Sequence, residues 1–336
     1  MKKILILLFV DLLPFILLAQ TNKTSEPELP GPKEVLTILE NSQKIYTIDM
    51  INDTAGFKFP EYQQIGDQYY LEKKDSSTLL KQYMLSKAGK FNFEKAEKHY
   101  TAKEYDSAKF YYKETMKTDS SYSKPYIYIG DIYYLNNNYD SALVYYKKGV
   151  DVNAIDYDAH WFLADAYNKK KDYDLELKEL IIAHLLNRNH KELFERLKIG
   201  FKHAGKRWDD WGITPIFDIT ARGDSGAYIK MSEEWVGYAC AEALWRYEPG
   251  FSEKYQGVKY KDQPISYKKE VSCLYANQNS KSKDMEKLWK IAKDGYFEEA
   301  VWYEILSKEV PLSVLVMSHD MINRLVEYIN KYHLSL

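Results

Sequence analysis

The stretch PYIYIGDIYYLNNNYDSALVYYKKGVD, residues 125–151, decides the fold of this chain. It is the clearest copy of a unit that recurs every 34 residues without a gap. Each copy has a small residue, a ring three positions later, and then Tyr-Asp ahead of a second helix. The aligned positions are Ala96, His99, Tyr105, Asp106, Ala108 and Tyr112, then Gly130, Tyr133, Tyr139, Asp140, Ala142 and Tyr146, then Ala164, Tyr167, Tyr173, Asp174, Glu176 and Leu180. Such a period predicts stacked helix pairs that complete one another's core.

The middle copy reads Tyr126-x2-Ile129-Gly130-x2-Tyr133, followed by Ala142-x3-Tyr146. This pattern resembles the tetratricopeptide repeat (TPR). The resemblance covers about residues 60–204 and implies an α-solenoid. The chain departs from the pattern at its terminal proline, which is missing. It departs again at Glu176, where a small residue is expected, so we expect looser packing there.

Two further segments extend the repeat region. Ile65-Gly66-Asp67 and the tyrosines that follow match the middle copy and predict a degenerate fourth helix pair. After the third copy, residues 190–203 have apolar spacing and predict a closing helix.

The fold class that follows is mostly α. We predict a TPR-type α-solenoid of three full and one degenerate helix-pair repeats, then a mainly helical C-terminal lobe with a small β-hairpin. The predicted organisation is a signal peptide (1–19), a linker and N-terminal helix (20–58), the solenoid (59–204) and the lobe (205–336). In detail we expect an amphipathic helix at 33–48, strands at 216–220 and 227–231, helices at 232–247, 284–293 and 296–307, a last helix ending near Tyr332, and irregular chain at 250–279.

The N-terminus has Lys2 and Lys3, an apolar run over residues 4–18, and Ala19. This order predicts a secretory signal peptide. The run is too short for a comfortable membrane span, although an uncleaved anchor is the weaker alternative. The ending Leu-Ala-Gln resembles exported proteins of Bacteroidetes-like bacteria. We therefore expect a periplasmic or secreted protein with no stable transmembrane segment after cleavage.

Composition excludes several classes of function. The formal net charge of −2 does not suit nucleic-acid binding. Two cysteines, Cys240 and Cys273, are too few for a Cys-rich zinc site. In an oxidising compartment they could pair, or remain two buried thiols. No His-x3-His spacing occurs among the seven histidines, and no catalytic, cofactor or metal site is predicted.

One face of each first helix predicts a binding groove, because positions i, i+4 and i+7 share a side. It has an acidic ladder with aromatic neighbours. The predicted groove residues are Asp67, Tyr70, Phe93, Glu97, Tyr100, Ile127, Asp131, Tyr134, Trp161, Asp165 and Asn168. The resemblance implies a concave peptide-binding surface, here suited to a protein or peptide containing Lys or Arg. The competing interpretations are that the acids only keep an exposed face soluble, or that the groove is filled by the lobe or the N-terminal helix.

Two other functions are open. A carbohydrate-binding envelope protein would present Trp208, Trp211 and Trp235 to sugars. An enzyme with a site in the lobe would bring Asp218, Glu233 or His319 into one pocket.

Overall fold

The computed structural model describes residues 29–52, 54, 57–66, 68–74, 77–256 and 263–335. The predicted signal peptide and Asp67 lie outside these ranges. Three helix pairs follow one another as predicted, and a closing helix completes them. The pairs are α2 (Lys87–Thr101) with α3 (Tyr105–Thr118), α4 (Lys124–Leu135) with α5 (Tyr139–Val152), and α6 (Tyr157–Lys170) with α7 (Tyr173–Leu186), and the closing helix is α8 (Lys191–His203).

The turn inside each pair is the same. Lys103, Asn137 and Lys171 have φ angles of 60°, 57° and 62° and are 34 residues apart. A left-handed conformation costs a non-glycine residue about 1–2 kcal/mol. The packing of the two helices that the turn joins offsets this cost.

Small residues at the helix crossings explain the sequence pattern. A Cβ on Gly130 would lie 2.6 Å from the Tyr146 ring, and Ala108 and Ala142 are fully buried. The large Glu176 in the third copy is buried as well. It is accommodated by polar partners, since its carboxylate accepts hydrogen bonds from Arg196 (2.7 Å) and Asn168 (3.0 Å).

The predicted fourth helix pair is wrong. Its region contains an extended segment and a β-hairpin, β2 (Tyr69–Lys74) antiparallel to β3 (Ser77–Gln82). Tyr, Leu and Thr favour this pleated pairing. Within residues 29–66, as far as the structure describes them, no helix pair precedes the hairpin for a further helix to pack on. The side chain of Asn187 donates to and accepts from the backbone of Ile65, both at 2.9 Å, and Asn153 donates to the Tyr69 carbonyl at 2.8 Å.

The N-terminal helix is shorter than predicted. Helix α1 (Pro32–Asn41) ends before strand β1 (Ile45–Met50), which pairs in parallel with β6 (Gly226–Met231). The predicted hairpin of the lobe forms from β5 (Phe217–Ala221) and β6, so that the sheet has the order β1-β6-β5. The β-branched run Ile45–Met50 therefore prefers a sheet edge to a helix.

Helices build the rest of the lobe. A 3₁₀ turn (Glu233–Trp235) leads into α9 (Val236–Tyr247). The prediction of irregular chain at 250–279 is wrong, since α10 and α11 lie there. The remaining elements are β4 (Arg207–Trp208), α10 (Phe251–Gln256), α11 (Ile265–Ala276), α12 (Lys283–Lys293), α13 (Phe297–Val301), a π-helical turn (Trp302–Leu306), α14 (Ser307–Glu309), a 3₁₀ turn (Pro311–Val316), α15 (His319–Tyr332) and β7 (Leu334–Ser335).

The largest core spans the end of the solenoid and the lobe. It joins Leu180 and Phe201 of the solenoid to Ile229, Leu244 and Tyr328 of the lobe. Smaller apolar clusters lie between the first and second helix pairs and between the second and third. Across the described ranges, none of the helices has the length and apolar character needed to cross a bilayer.

Candidate partner-binding face

The first helices of the three pairs, α2, α4 and α6, bear most of the predicted groove residues. Phe93, Tyr100, Tyr134 and Trp161 are half-buried on these helices. The prediction that Ile127 lines the groove is wrong, because this residue is 1% exposed and packs between the second and third pairs. A partner cannot contact it, because the equivalent turn of α4 faces the neighbouring helices.

The prediction that Tyr70 lies on a helix of the groove is also wrong. This residue lies in the hairpin strand β2, where its ring meets that of Tyr83 at 5.2 Å between centroids. Tyr83 in turn contacts Tyr122 at 4.7 Å, and Tyr122 contacts Phe93 at 5.4 Å. The hairpin thus reaches the start of the helical groove through a chain of rings, without adding a rung to the helical ladder.

Of the three ladder acids that the structure describes, the first two, Glu97 and Asp131, bind phenols. The hydroxyl of Tyr112 donates to Glu97, and the hydroxyl of Tyr100 donates to Asp131 across the boundary between repeats. Burial and the bond to Asp131 raise the pKa of Tyr100, so the phenol keeps its proton at neutral pH. Burial also raises the pKa of Asp131, against the hydrogen bonds it accepts. In the part of the chain that the structure describes, no lysine or arginine lies within 4 Å of either carboxylate.

The third acid has a different environment. Asp165 accepts from Arg196 at 2.9 Å, and the same guanidinium bonds Glu176 at 2.7 Å. Burial raises the pKa of Asp165, while the charge of Arg196 opposes that shift. Asn168 points into this cluster, with its amide nitrogen 2.9 Å from His203 Nδ1. The closing helix therefore supplies a counter-charge at this end of the ladder.

Sequence reasoning missed Tyr128, which lines the groove beside Phe93 and Tyr100. Its ring lies 5.7 Å from Tyr100 and 5.5 Å from Tyr112. Its position, one residue after Ile127, shows that the exposed stripe on α4 is rotated by about one residue from the predicted one. Helix packing, which the period alone does not give, sets that rotation.

The tryptophans proposed for sugar binding are engaged with the protein. Trp235 is 2% exposed. The rings of Trp208 and Trp211 stack on His333 at 4.5 and 5.5 Å, and Trp211 donates to the Tyr332 carbonyl at 2.9 Å. They hold the end of α15 against the solenoid, so they do not form the expected platform.

The residues proposed for an enzyme site are separated. Asp218 lines a cavity in the lobe, whereas Glu233 and His319 are exposed and do not line it. Cys240 and Cys273 are buried and unpaired. Within the described ranges, no three His, Cys, Asp or Glu side chains are grouped to hold a metal ion.

No family model matches the chain, and no curated protein matches it. Among solved structures, the first TPR of Spaghetti (RPAP3) bound to an HSP90 peptide is 17% identical, covering 36% of this chain and 99% of its own, with a TM-score of 0.34. The TPR2B domain of yeast Sti1, in a pHsp70 complex, is 15% identical over 35% of this chain and 98% of its own, with a TM-score of 0.33. MamA is 17% identical over 74% of this chain and 97% of its own, with a TM-score of 0.32. TM-scores this low establish neither family nor function, so the repeat assignment depends on the 34-residue period and the three helix pairs.

Proposed function

We propose that this chain is a protein-interaction scaffold whose groove binds a Lys- or Arg-containing segment at the first two helix pairs. The observation that supports this most is the contrast within the acidic ladder. Glu97 and Asp131 bind neutral phenols and keep an uncompensated charge, whereas Asp165 is paired with Arg196. The proposed site is therefore one half of the predicted groove.

The aromatic neighbours suit the same partner. Phe93, Tyr100 and Tyr128 form one cluster of rings, in which Tyr100 bonds Asp131 and Tyr128 packs on Tyr112, the partner of Glu97. A cation over such a ring gains roughly 0.5–2 kcal/mol, and the opposite charge of the carboxylates increases the association rate. Within this protein, Lys169 Nζ lies 5.9 Å from the Tyr134 ring centroid. We propose the same kind of contact between a basic residue of the partner and a ring of the groove.

We also propose that the protein acts outside the cytoplasm. The support is the sequence alone: two lysines, an apolar run and Ala19 at the N-terminus. Expression of the full chain followed by fractionation and N-terminal sequencing tests it. We expect an extracytoplasmic product that begins near residue 20, and a cytoplasmic product with Met1 intact would contradict export.

A random peptide library displayed against residues 29–336 tests the binding proposal. We expect enriched peptides to contain Lys or Arg beside an aromatic or aliphatic residue. The strongest of them should bind the variant Glu97→Gln/Asp131→Asn at least about tenfold more weakly, which is about 1.4 kcal/mol. Both substitutions keep an oxygen that accepts the tyrosine hydrogen bond, so the fold should be retained.

The matched control is Asp140→Asn/Asp174→Asn, which removes two exposed charges from the first turns of α5 and α7. Neither belongs to the predicted groove, and Asp140 pairs with Lys170 at 2.8 Å. The control should change the affinity less than about twofold. Equal weakening by both double variants would show a general charge effect and contradict the proposed site. Enrichment of acidic peptides would contradict the proposed partner chemistry.

A further inference from the structure

The chain leads into the first helix pair through residues 57–69, here called the entering segment. A cavity of about 300 Å³ lies where this segment crosses the lobe. Its walls come from four parts of the chain, within residues 57–62, 213–219, 238–246 and 304–309. Phe57, Phe59 and Tyr62 close one side, Phe217 and Ile305 form another, and Lys308 lies at the wall formed by α14. This volume is at the lower end of the range for small-ligand pockets and equals about ten waters.

Most of the wall is apolar, and two of its charged groups, Glu304 and Arg246, have bonded partners. Glu304 accepts from Tyr328 (2.7 Å) and lies 2.7 Å from His333 Nε2. Arg246 pairs with Glu242 at 2.6 Å. Asp218 and Glu309 are exposed to solvent. The carboxylates of Asp218 and Glu309 therefore lie at the solvent side of the cavity.

Lys308 is the exception. Its ammonium makes no hydrogen bond or ion pair within 4 Å to any residue that the structure describes, and only its backbone carbonyl is used, by Asn189 at 3.0 Å. Burial, and the nearby charge of Arg188, lower the pKa of Lys308 to about 8. Arg188 itself packs over the Tyr303 ring at 4.2 Å, and its Nε is buried without a partner. The charges of Glu304 and Glu309 oppose this shift, but neither carboxylate bonds the ammonium. A partly buried ammonium without a hydrogen-bonded counter-ion is costly.

We propose that this cavity binds a small organic anion, with the carboxylate at Lys308 and an apolar or aromatic body against Phe57, Phe59 and Phe217. The anion supplies the hydrogen-bonded partner that Lys308 lacks, and the positive charge of Arg188 adds to the attraction. The apolar walls select the body of the ligand by burial of its surface. This site is separate from the groove of the proposed function, which it neither requires nor supports.

Calorimetric titration of residues 29–336 with three matched probes tests the charge preference. The probes are phenylacetate, the neutral phenylacetamide and the cationic phenethylamine. We expect phenylacetate to bind at least about tenfold more tightly than either of the others. Tighter binding of the amine, or no binding of phenylacetate at about 10 mM, would overturn the proposal.

Variants test the role of Lys308. Lys308→Met should weaken phenylacetate at least about tenfold, while Lys308→Arg should retain binding. The control Lys331→Met removes an exposed lysine that pairs with Asp294 at 3.4 Å, and it should leave the affinity unchanged. A cooperative melting transition at a temperature no lower than that of the wild type shows that Lys308→Met is folded. Unchanged affinity in a folded Lys308→Met would overturn the assignment.

Discussion

The helix pairs and the C-terminal lobe bury their surfaces in different ways. In the repeats, small clusters such as that of Ala96, Ala108 and Tyr112 join residues within one or two helix pairs. In the lobe, one core joins residues as distant as Val35 and Tyr328. Local clusters repeat along the sequence and can be recognised there, whereas a core assembled from distant segments leaves no period.

The carboxylates of the repeats and those of the lobe also differ in their bonding partners. In the first two repeats, carboxylates bind phenols no more than 31 residues away. The lobe buries carboxylates against cations and phenols, as in the network of Glu242, Lys269 and Glu270 with ion pairs of 3.0 and 3.1 Å. A buried ion pair needs both partners, so the lobe should tolerate substitution less well than the repeats.

The largest effect is expected from Gly237→Ala in α9. A Cβ there would lie 2.2 Å from the backbone oxygen of Ala276, which cannot move aside. We expect a loss of at least about 4 kcal/mol in the free energy of unfolding, measured in urea. The matched change Gly130→Ala should cost about 1 kcal/mol, because Ala96 and Ala164 occupy the same repeat position. Equal costs would remove the contrast between lobe and repeats.

The next largest effect is expected when the same truncation to alanine is compared at the two ends of the solenoid. Phe91 and Leu193 occupy equivalent repeat positions, yet Phe91 is 57% exposed and Leu193 fully buried. We expect Leu193→Ala to cost about 3 kcal/mol and Phe91→Ala less than about 1 kcal/mol by chemical denaturation. A cost for Phe91→Ala as large as that for Leu193→Ala would mean that the first helix pair is covered in solution.

The pH dependence of the lobe depends on Glu270. Burial raises its pKa to about 7, reinforced by Glu242 and opposed by Lys269. The folded state therefore holds a proton that the unfolded state releases near pH 4.5, so the free energy of unfolding falls as pH rises from 4.5 through 7. Between pH 5 and 8, wild type should lose on the order of 2 kcal/mol more than Glu270→Gln. Parallel pH profiles for the two proteins would contradict this environment for Glu270.

The smallest effect on the free energy of unfolding is expected from removing the side-chain hydrogen bonds that hold the entering segment. Asn187→Ala removes two hydrogen bonds to Ile65, and we expect a loss of about 2 kcal/mol together with faster proteolysis near residue 65. Asn153→Ala removes one bond to Tyr69 and should cost about 1 kcal/mol. If neither variant is cleaved faster than wild type, these side chains do not hold the segment in place.

The sequence was informative where residues at one period do the packing. The small residues at Gly130 and Ala164 and the Tyr-Asp starts predicted three helix pairs. The helices predicted at 232–247, at 284–293 and up to Tyr332 correspond to α9, α12 and α15. Helix α11 was missed because its buried positions include Lys268, Glu270 and Ser272, which hide the apolar stripe.

The groove was predicted only in part, for a related reason. The period places Glu97, Asp131 and Asp165 at equivalent positions, but it does not reveal their partners. Arg196 reaches Asp165 from the closing helix, which is not a full repeat. The difference between the charged and the neutralised parts of the ladder therefore becomes visible only in three dimensions.

A double-mutant cycle with a peptide selected on the protein tests the central claim most directly. It combines Asp131→Asn, or Asp165→Asn, with replacement of the peptide's basic residue by Gln, and the dissociation constants give the coupling energy. We predict a coupling of at least about 1.5 kcal/mol with Asp131 and less than about 0.5 kcal/mol with Asp165. Coupling absent at Asp131, or equal at the two acids, would contradict the claim that the first two helix pairs hold the binding site.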